Sequence, residues 1–220
     1  MTRQQVIAEL AQIILSHKKD VPLRVGIDGI DAAGKTSLAN ELAEVLTKLG
    51  HPVLRASIDG YHNPKEIRRQ RGSLSPEGYY YDSFNYHLLT THLLQPLEPQ
   101  GNRRIRLNAF DFKIEQATAS EELTVTNDHI LIFEGVFLFR PELIRYWDMK
   151  IFVEIDFETS LNRALERDLY LFGSKEEIER RYKERYIPGQ KIYLVSETPQ
   201  QKADIVIDNN DFMNPVIILN

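Results

Sequence analysis

Residues 29–36, Gly29-Ile30-Asp31-Ala32-Ala33-Gly34-Lys35-Thr36, fit the pattern G-x-x-x-x-G-K-[ST] at every position. Glycines in such a loop let backbone N–H groups turn inward around phosphate oxygens, and a helix beginning at Lys35 adds partial positive charge at the same place. Lys35 brings a cation for the transferring phosphate, Thr36 a hydroxyl for Mg²⁺, and Ser37 completes the cradle. Two acids end apolar runs elsewhere in the chain: Asp59 after Pro52 to Ile58, and Glu134 after Ile130 to Phe133. A phosphoryl-transfer site needs one carboxylate for the metal, directly or through water, and a second to orient or deprotonate an acceptor hydroxyl. Glu134 and Asp59 are the candidates for those two tasks. A strand-ending acid can also simply cap the next helix, so position alone leaves both roles open.

These residues need a scaffold that brings strand ends together. Apolar runs of strand length lie at Leu23 to Asp28, Pro52 to Asp59, His129 to Glu134, Met149 to Asp156 and Asp204 to Ile207. Helical patterns fall between them at Lys35 to Leu49, Asn85 to Leu97 and Phe157 to Leu169. This alternation predicts an α/β, doubly wound, mainly parallel five-stranded sheet with helices on both faces, and ligands in such sheets sit at the carboxyl ends of the strands. The chain reads as a single domain over 1–220. Ser174 to Ile187 reads as a charged helix ended by Pro188-Gly189, giving a helical lid at about 168–190. Residues 60–126 form an acceptor-site excursion, with short strands expected within Arg103 to Glu115 and Leu123 to Thr126.

Composition narrows the function classes. With 27 Lys plus Arg against 32 Asp plus Glu the 220-residue chain carries a formal charge of −5, which disfavours a nucleic-acid partner. The chain has no cysteine, which removes disulfide scaffolds and thiolate metal sites. Its first residues form an amphipathic pattern and its most apolar stretch, Ile130 to Phe139, is far too short to span a bilayer. The expectation is a cytoplasmic protein with no membrane partner; a homo-oligomer is left open. An Asn-Lys-x-Asp guanine-reading segment and a Leu-Ser-Gly-Gly-Gln signature are both absent, which argues against a GTPase switch and a transporter ATPase.

The chain resembles the uridine kinase-like family of P-loop kinases, the group that includes phosphoribulokinase and bacterial pantothenate kinase. The resemblance runs from about Leu23 to Asp208. It rests on Gly29 to Thr36, Asp59-Gly60-Tyr61-His62, Asp82-Ser83-Phe84-Asn85, Phe110-Asp111-Phe112, Glu134-Gly135-Val136-Phe137, Arg163 with Arg167-Asp168, and Ala203 to Ile207. It implies a P-loop NTPase fold, ATP and Mg²⁺ as cofactors, and transfer of the γ-phosphate to a small-molecule hydroxyl, with uridine or cytidine the first acceptors to consider. It also implies that Asp59 is the catalytic base, that Glu134 with Thr36 belongs to the magnesium shell, and that Arg163 and Arg167 bind the phosphates of ATP. Ala203 to Asp208 would lie near the adenine.

Substrate contacts are expected from Asp59, Tyr61, His62, Phe84, Asn85, Phe110 and Phe112. Where uridine and cytidine kinases carry Tyr-Asp-Phe and then a base-reading histidine, this chain has Phe110-Asp111-Phe112 and then Glu115. Their ribose-binding Asp is Asn85 here. Asn85 retains hydrogen-bonding capacity for a diol, and Glu115 could accept from an exocyclic amine. Lys65, Arg68, Arg69 and Arg71 could instead hold a phosphate on a sugar-phosphate acceptor, or form a solvated face. A kinase of another acceptor, such as a sugar phosphate or pantothenate, and a nucleotide-binding regulatory module remain as alternatives.

Overall fold

The computed structural model describes residues 1–118 and 120–219. The chain opens with α1 (Arg3–Ser16), whose buried face is Val6, Ile7, Leu10, Ala11 and Ile14. A capping box between Thr2 and Gln5 satisfies its first free N–H groups. β1 (Leu23–Gly29) is buried along its whole length and feeds the phosphate-type loop, which ends at α2 (Lys35–Lys48). β2 (Val53–Ser57) follows and leads into a 3₁₀ turn over Ile58–Tyr61.

The excursion then carries α3 (Lys65–Arg68), α4 (Pro76–Asp82) and α5 (Tyr86–Leu89), the last running on through a π-helical turn at Thr90–Leu94. Four two-residue strands come next: β3 (Arg104–Ile105), β4 (Phe110–Asp111), β5 (Gln116–Ala117) and β6 (Leu123–Thr124). They pair as two small antiparallel ribbons, β3 with β6 and β4 with β5, apart from the main sheet. The chain returns to the main sheet as β7 (Ile130–Glu134) and β8 (Met149–Glu154). Helices α6 (Phe157–Arg167), α7 (Leu169–Phe172) and α8 (Lys175–Arg181) precede a π-helical turn at Tyr182–Tyr186. The end is α9 (Ile187–Glu197), α10 (Pro199–Lys202), β9 (Ile205–Asp208) and β10 (Val216–Leu219).

The main sheet has the order β10-β9-β8-β1-β7-β2. All neighbours are parallel except β10, which runs antiparallel to β9. Six strands therefore replace the expected five. An antiparallel edge strand needs only a short connection, here residues 209–215, so no crossover helix announces it in the sequence. Strands alternate their burial between two cores. Ile130 and Ile132 face α1 and α2, whereas Leu131 and Phe133 face the core that contains Leu89, Leu93 and Trp147. Helices cover both faces, which is why these strands read as unbroken apolar runs.

The lid helix does not stop at Pro188-Gly189 as expected. The π turn at Tyr182–Tyr186 shifts the hydrogen-bond register, so Pro188 falls in the first turn of α9, where its missing N–H costs nothing. Gly189 then lets α9 approach α4 closely: a Cβ there would sit 2.9 Å from both the Pro76 carbonyl oxygen and the Tyr79 ring. Among the described residues no helix is long and apolar enough to cross a membrane.

Candidate active site

Strand order alone explains why three distant segments meet. β1 lies between β7 and β8, and β7 lies between β1 and β2, with Glu134 in register with both Ile27 and Ser57. The phosphate-type loop, Glu134 and the turn carrying Asp59 thus leave neighbouring strands at their carboxyl ends. Together they line a cavity of about 490 Å³, with a second hollow of about 250 Å³ on the other side of the loop. Ala32, Lys35, Thr36 and Arg167 border both.

The loop is held in a fixed shape. Gly34 takes φ +92°, and a Cβ there would fall 2.6 Å from Asn209 Nδ2. Asn209 Nδ2 donates to the Ala33 carbonyl at 2.7 Å, and Arg3 Nη1 donates to Asn209 Oδ1 at 3.2 Å. Ile30 and Ala33 bury their side chains in the core, and Ala33 N donates to the Ile30 carbonyl at 3.3 Å, which closes the turn. Ala32 is in the left-handed region at φ 56° and packs against Ala164, Ile178 and Tyr182, joining the loop to the lid. Lys35 is buried, and its Nζ donates to the Ile30 carbonyl at 2.7 Å. Burial lowers its pKa, while Asp31, Glu134 and Asp28 draw it back up. Ser37 borders only the second hollow, together with Arg163 and Phe212.

Asp59 stands on the 3₁₀ turn capped by Ser57, whose Oγ accepts from Asp59 N at 3.3 Å. Its side chain is 61% open to the cavity. The enclosing walls, and then the Asp31 carboxylate, nevertheless hold its pKa above the ordinary aspartate value. His62 lies between the Phe84 and Phe112 rings at 4.7 Å from each. Burial brings its pKa down to about 4, so it is neutral at pH 7. Its Nδ1 lies 2.9 Å from the Asp59 carbonyl, an atom that can only accept; Nδ1 therefore carries the proton and Nε2 is an acceptor. Glu134 is buried, which raises its pKa; Lys35 opposes that rise and Asp59 adds to it.

Asp31 is tied to residues that the sequence reading did not single out as site residues. Its N–H donates to Gln190 Oε1 at 2.7 Å. Its Oδ2 accepts from Tyr79 Oη at 2.9 Å and from Gln190 Nε2 at 3.0 Å. Tyr79, Tyr182 and Tyr186 complete the aromatic lining. In sequence Gln190 is marked only as the end of the expected lid at about 168–190; the register shift at the π turn and the packing of α9 aim it at the loop.

Several expected residues stand elsewhere. Tyr61 is fully buried and donates to the Arg106 carbonyl at 2.6 Å, so it supports the turn and does not reach the cavity. Asn85 caps α5, its Oδ1 accepting from Leu88 N at 3.0 Å. Phe112 reaches the cavity but Phe110 does not, because the strand ends at Asp111 and a turn separates the two rings. Glu115 pairs with Arg68 and accepts from Lys65 N at 3.1 Å, so it reads no base. Arg71 pairs with Asp82 at 2.7 Å, and neither Arg68, Arg69 nor Arg71 borders the cavity. Arg163 donates to the Asn209 and Asn210 carbonyls at 2.8 and 3.0 Å and belongs to the second hollow alone. Arg167 pairs with Asp168 at 2.7 Å. The segment bordering the second hollow includes Phe212, beyond Ala203 to Asp208, whose residues Ile205 to Asp208 pair within the sheet.

Beneath the loop, Asp28 is fully buried and accepts from Gly29 N at 2.7 Å, Leu138 N at 3.0 Å and the Tyr193 hydroxyl. Burial outweighs these bonds and raises its pKa from 3.8 to about 6. The folded state therefore binds a proton that the unfolded chain has already released between pH 3.8 and about 6. Its contribution to stability is complete below pH 3.8 and is lost as pH rises through about 6. The whole effect is on the order of 3 kcal/mol. Urea unfolding of wild type and Asp28→Asn from pH 7 to pH 4 checks this: wild type gains on the variant as pH falls.

The family model for the phosphoribulokinase/uridine kinase family matches residues 25–211. A uridine kinase of Leuconostoc citreum is 30% identical over 149 residues, covering 67% of this chain and 69% of that protein. One from Lactobacillus helveticus is 27% identical over 197 residues, 86% of this chain and 88% of that protein. The solved structure of a possible uridine kinase from Bacillus stearothermophilus superposes with a TM-score of 0.71 at 24% identity, over 91% of this chain and 96% of that one, a likeness of fold. With most of its length matched, and with the loop, Asp59 and Glu134 gathered at the strand ends, the chain belongs to the phosphoribulokinase/uridine kinase family.

Proposed function

We propose that the protein transfers the γ-phosphoryl group of ATP to the 5′-hydroxyl of a pyrimidine nucleoside, uridine or cytidine. The observation that carries this reading is the aromatic wall of Phe84, His62 and Phe112 beside Asp59. A planar, uncharged base stacks on such a wall while its sugar reaches toward the carboxylate. The names of the two relatives support the same acceptor.

Asp59 receives the hydroxyl proton as the bond to phosphorus forms. Its raised pKa makes it a better proton acceptor than an ordinary aspartate. Lys35 and the loop amides hold the phosphates, Arg167 closes over them, and Arg163 fixes the wall of the second hollow, on the other side of the loop from the acceptor; the lid excludes water as a competing acceptor. Among the described residues no group of three or more His, Cys, Asp or Glu could hold a metal by itself. The Thr36 hydroxyl and Glu134 carboxylate, hard oxygen donors on one cavity, fit Mg²⁺, which keeps waters and takes substrate phosphates as ligands. When bound it would neutralise charge on the β- and γ-oxygens.

ADP formation from Mg·ATP, measured with uridine, cytidine, other nucleosides, pantothenate and sugar phosphates, tests the reading, with Asp59→Asn as control. Stimulation by uridine or cytidine is expected. Stimulation only by a phosphorylated sugar would overturn the nucleoside and turn attention to Lys113, the lysine besides Lys35 that borders the cavity. Silence across the panel would favour a module that binds nucleotide without transfer.

A further inference from the structure

We infer that Asp31 is an acceptor-binding residue whose Oδ1 takes a hydrogen bond from a sugar hydroxyl other than the one that reacts at Asp59. This rests on the nucleoside reading and specifies how the ribose is held. Asp31 belongs by sequence to the phosphate-type loop, yet it borders only the cavity of Asp59 and His62, whereas Gly34 and Ser37 border only the opposite hollow. Its position is the acceptor side of the loop.

A carboxylate in a loop that cradles phosphates is electrostatically unfavourable toward them, so its charge calls for a reason. Part of that reason is to help keep buried Lys35 cationic, but hydrogen bonding within the protein uses only one of the two carboxylate oxygens among the described residues. The backbone N–H of Asp31 is satisfied by Gln190 Oε1, its carbonyl by Ser160 Oγ at 2.7 Å, and its Oδ2 by both Tyr79 and Gln190. A neutral asparagine would accept the same two side-chain bonds through one oxygen. The atom that only a carboxylate adds is Oδ1, and among the described residues it has no hydrogen-bond donor. Two donors anchor Oδ2, so the orientation of Oδ1 is fixed before any ligand arrives.

The ligand chemistry follows from what such an atom accepts. It needs a donor, and the cavity already contains an acceptor carboxylate, Asp59, for the reacting hydroxyl. Asp31 raises the pKa of Asp59, which places the two carboxylates on one electrostatic neighbourhood of the cavity. A polyhydroxylated sugar offers donors to both. Asn85, the residue expected to meet the sugar diol, caps α5 and does not border the cavity, so this task falls to another group.

Steady-state kinetics with uridine, 2′-deoxyuridine and 3′-deoxyuridine on wild type and Asp31→Asn test the inference. Asparagine preserves both anchoring bonds, and a thermal melt confirms that the variant folds. A hydrogen bond to a charged group is worth about 10- to 150-fold. Wild type should lose roughly that factor in kcat/KM on one deoxynucleoside. Asp31→Asn should lose it already on uridine, through acceptor KM more than kcat, lose little further on that deoxynucleoside, and keep its KM for ATP. Undiminished discrimination between uridine and both deoxynucleosides in Asp31→Asn would overturn the inference while leaving the nucleoside reading intact. An equal loss on all three acceptors with a raised KM for ATP would overturn it as well, by showing a loop-shaping role. Wild type inactive on every nucleoside would remove the functional reading, and this inference with it.

Discussion

Asp59→Asn is expected to lower kcat by roughly 10²- to 10⁴-fold while leaving the KM for ATP close to wild type, the usual effect of removing a positioned base. The amide keeps the shape and can still orient a hydroxyl, but it cannot take the proton. Folding is not at risk, because among the described residues the only ion-pair contact of this carboxylate is at 4.0 Å to a histidine that is neutral at pH 7. Wild-type kcat/KM should fall on acidification, and its acid limb should lie above the ordinary aspartate range, since the cavity walls and Asp31 raise the pKa of Asp59. That limb should be missing from the variant. A variant with near wild-type kcat and an unaltered limb would take the base role away from Asp59.

Lys35→Met should give the second large effect, a loss of about 10²- to 10³-fold in kcat, the range for losing one preorganised group that stabilises developing charge. The methionine stem fills the same buried channel, and among the described residues the one side-chain hydrogen bond lost is to the Ile30 carbonyl of the loop. Because the Lys35 cation lowers the pKa values of Asp28, Asp59 and Glu134, its removal should also move the acid limb further up. Rate, pH profile and melting temperature measured together separate a chemical loss from a folding loss. Wild-type turnover in the variant would exclude Lys35 from the transfer step.

Much of this was legible because the relevant signals are local. The loop pattern needs only eight consecutive residues, and the central parallel strands announce themselves as apolar runs because both of their faces are buried, most completely in β1 and β7. Asp59 and Glu134 were recoverable as the acids that end two of those runs. The acceptor side was read less well. Tyr61, Asn85 and Phe110 carry suitable groups, but Tyr61 and Asn85 satisfy backbone donors or acceptors of the excursion and Phe110 is buried short of the cavity. No periodicity distinguishes a ring that packs from one that lines a cavity when a turn intervenes, as between Phe110 and Phe112. The basic run after Asp59 was likewise ambiguous until Arg68 and Arg71 were seen to pair with Glu115 and Asp82.

The phosphate-type loop, the parallel strands and the two strand-ending acids are readable along the chain, because each follows from backbone conformation and burial within a short segment. Tertiary structure alone decided that α9 continues through Pro188, that Gly189 brings Gln190 and Tyr79 to Asp31, and that the aromatic wall stands beside Asp59. Those contacts join residues up to 159 positions apart, where chain connectivity carries no information and only the packing of helices on the sheet sets the distance.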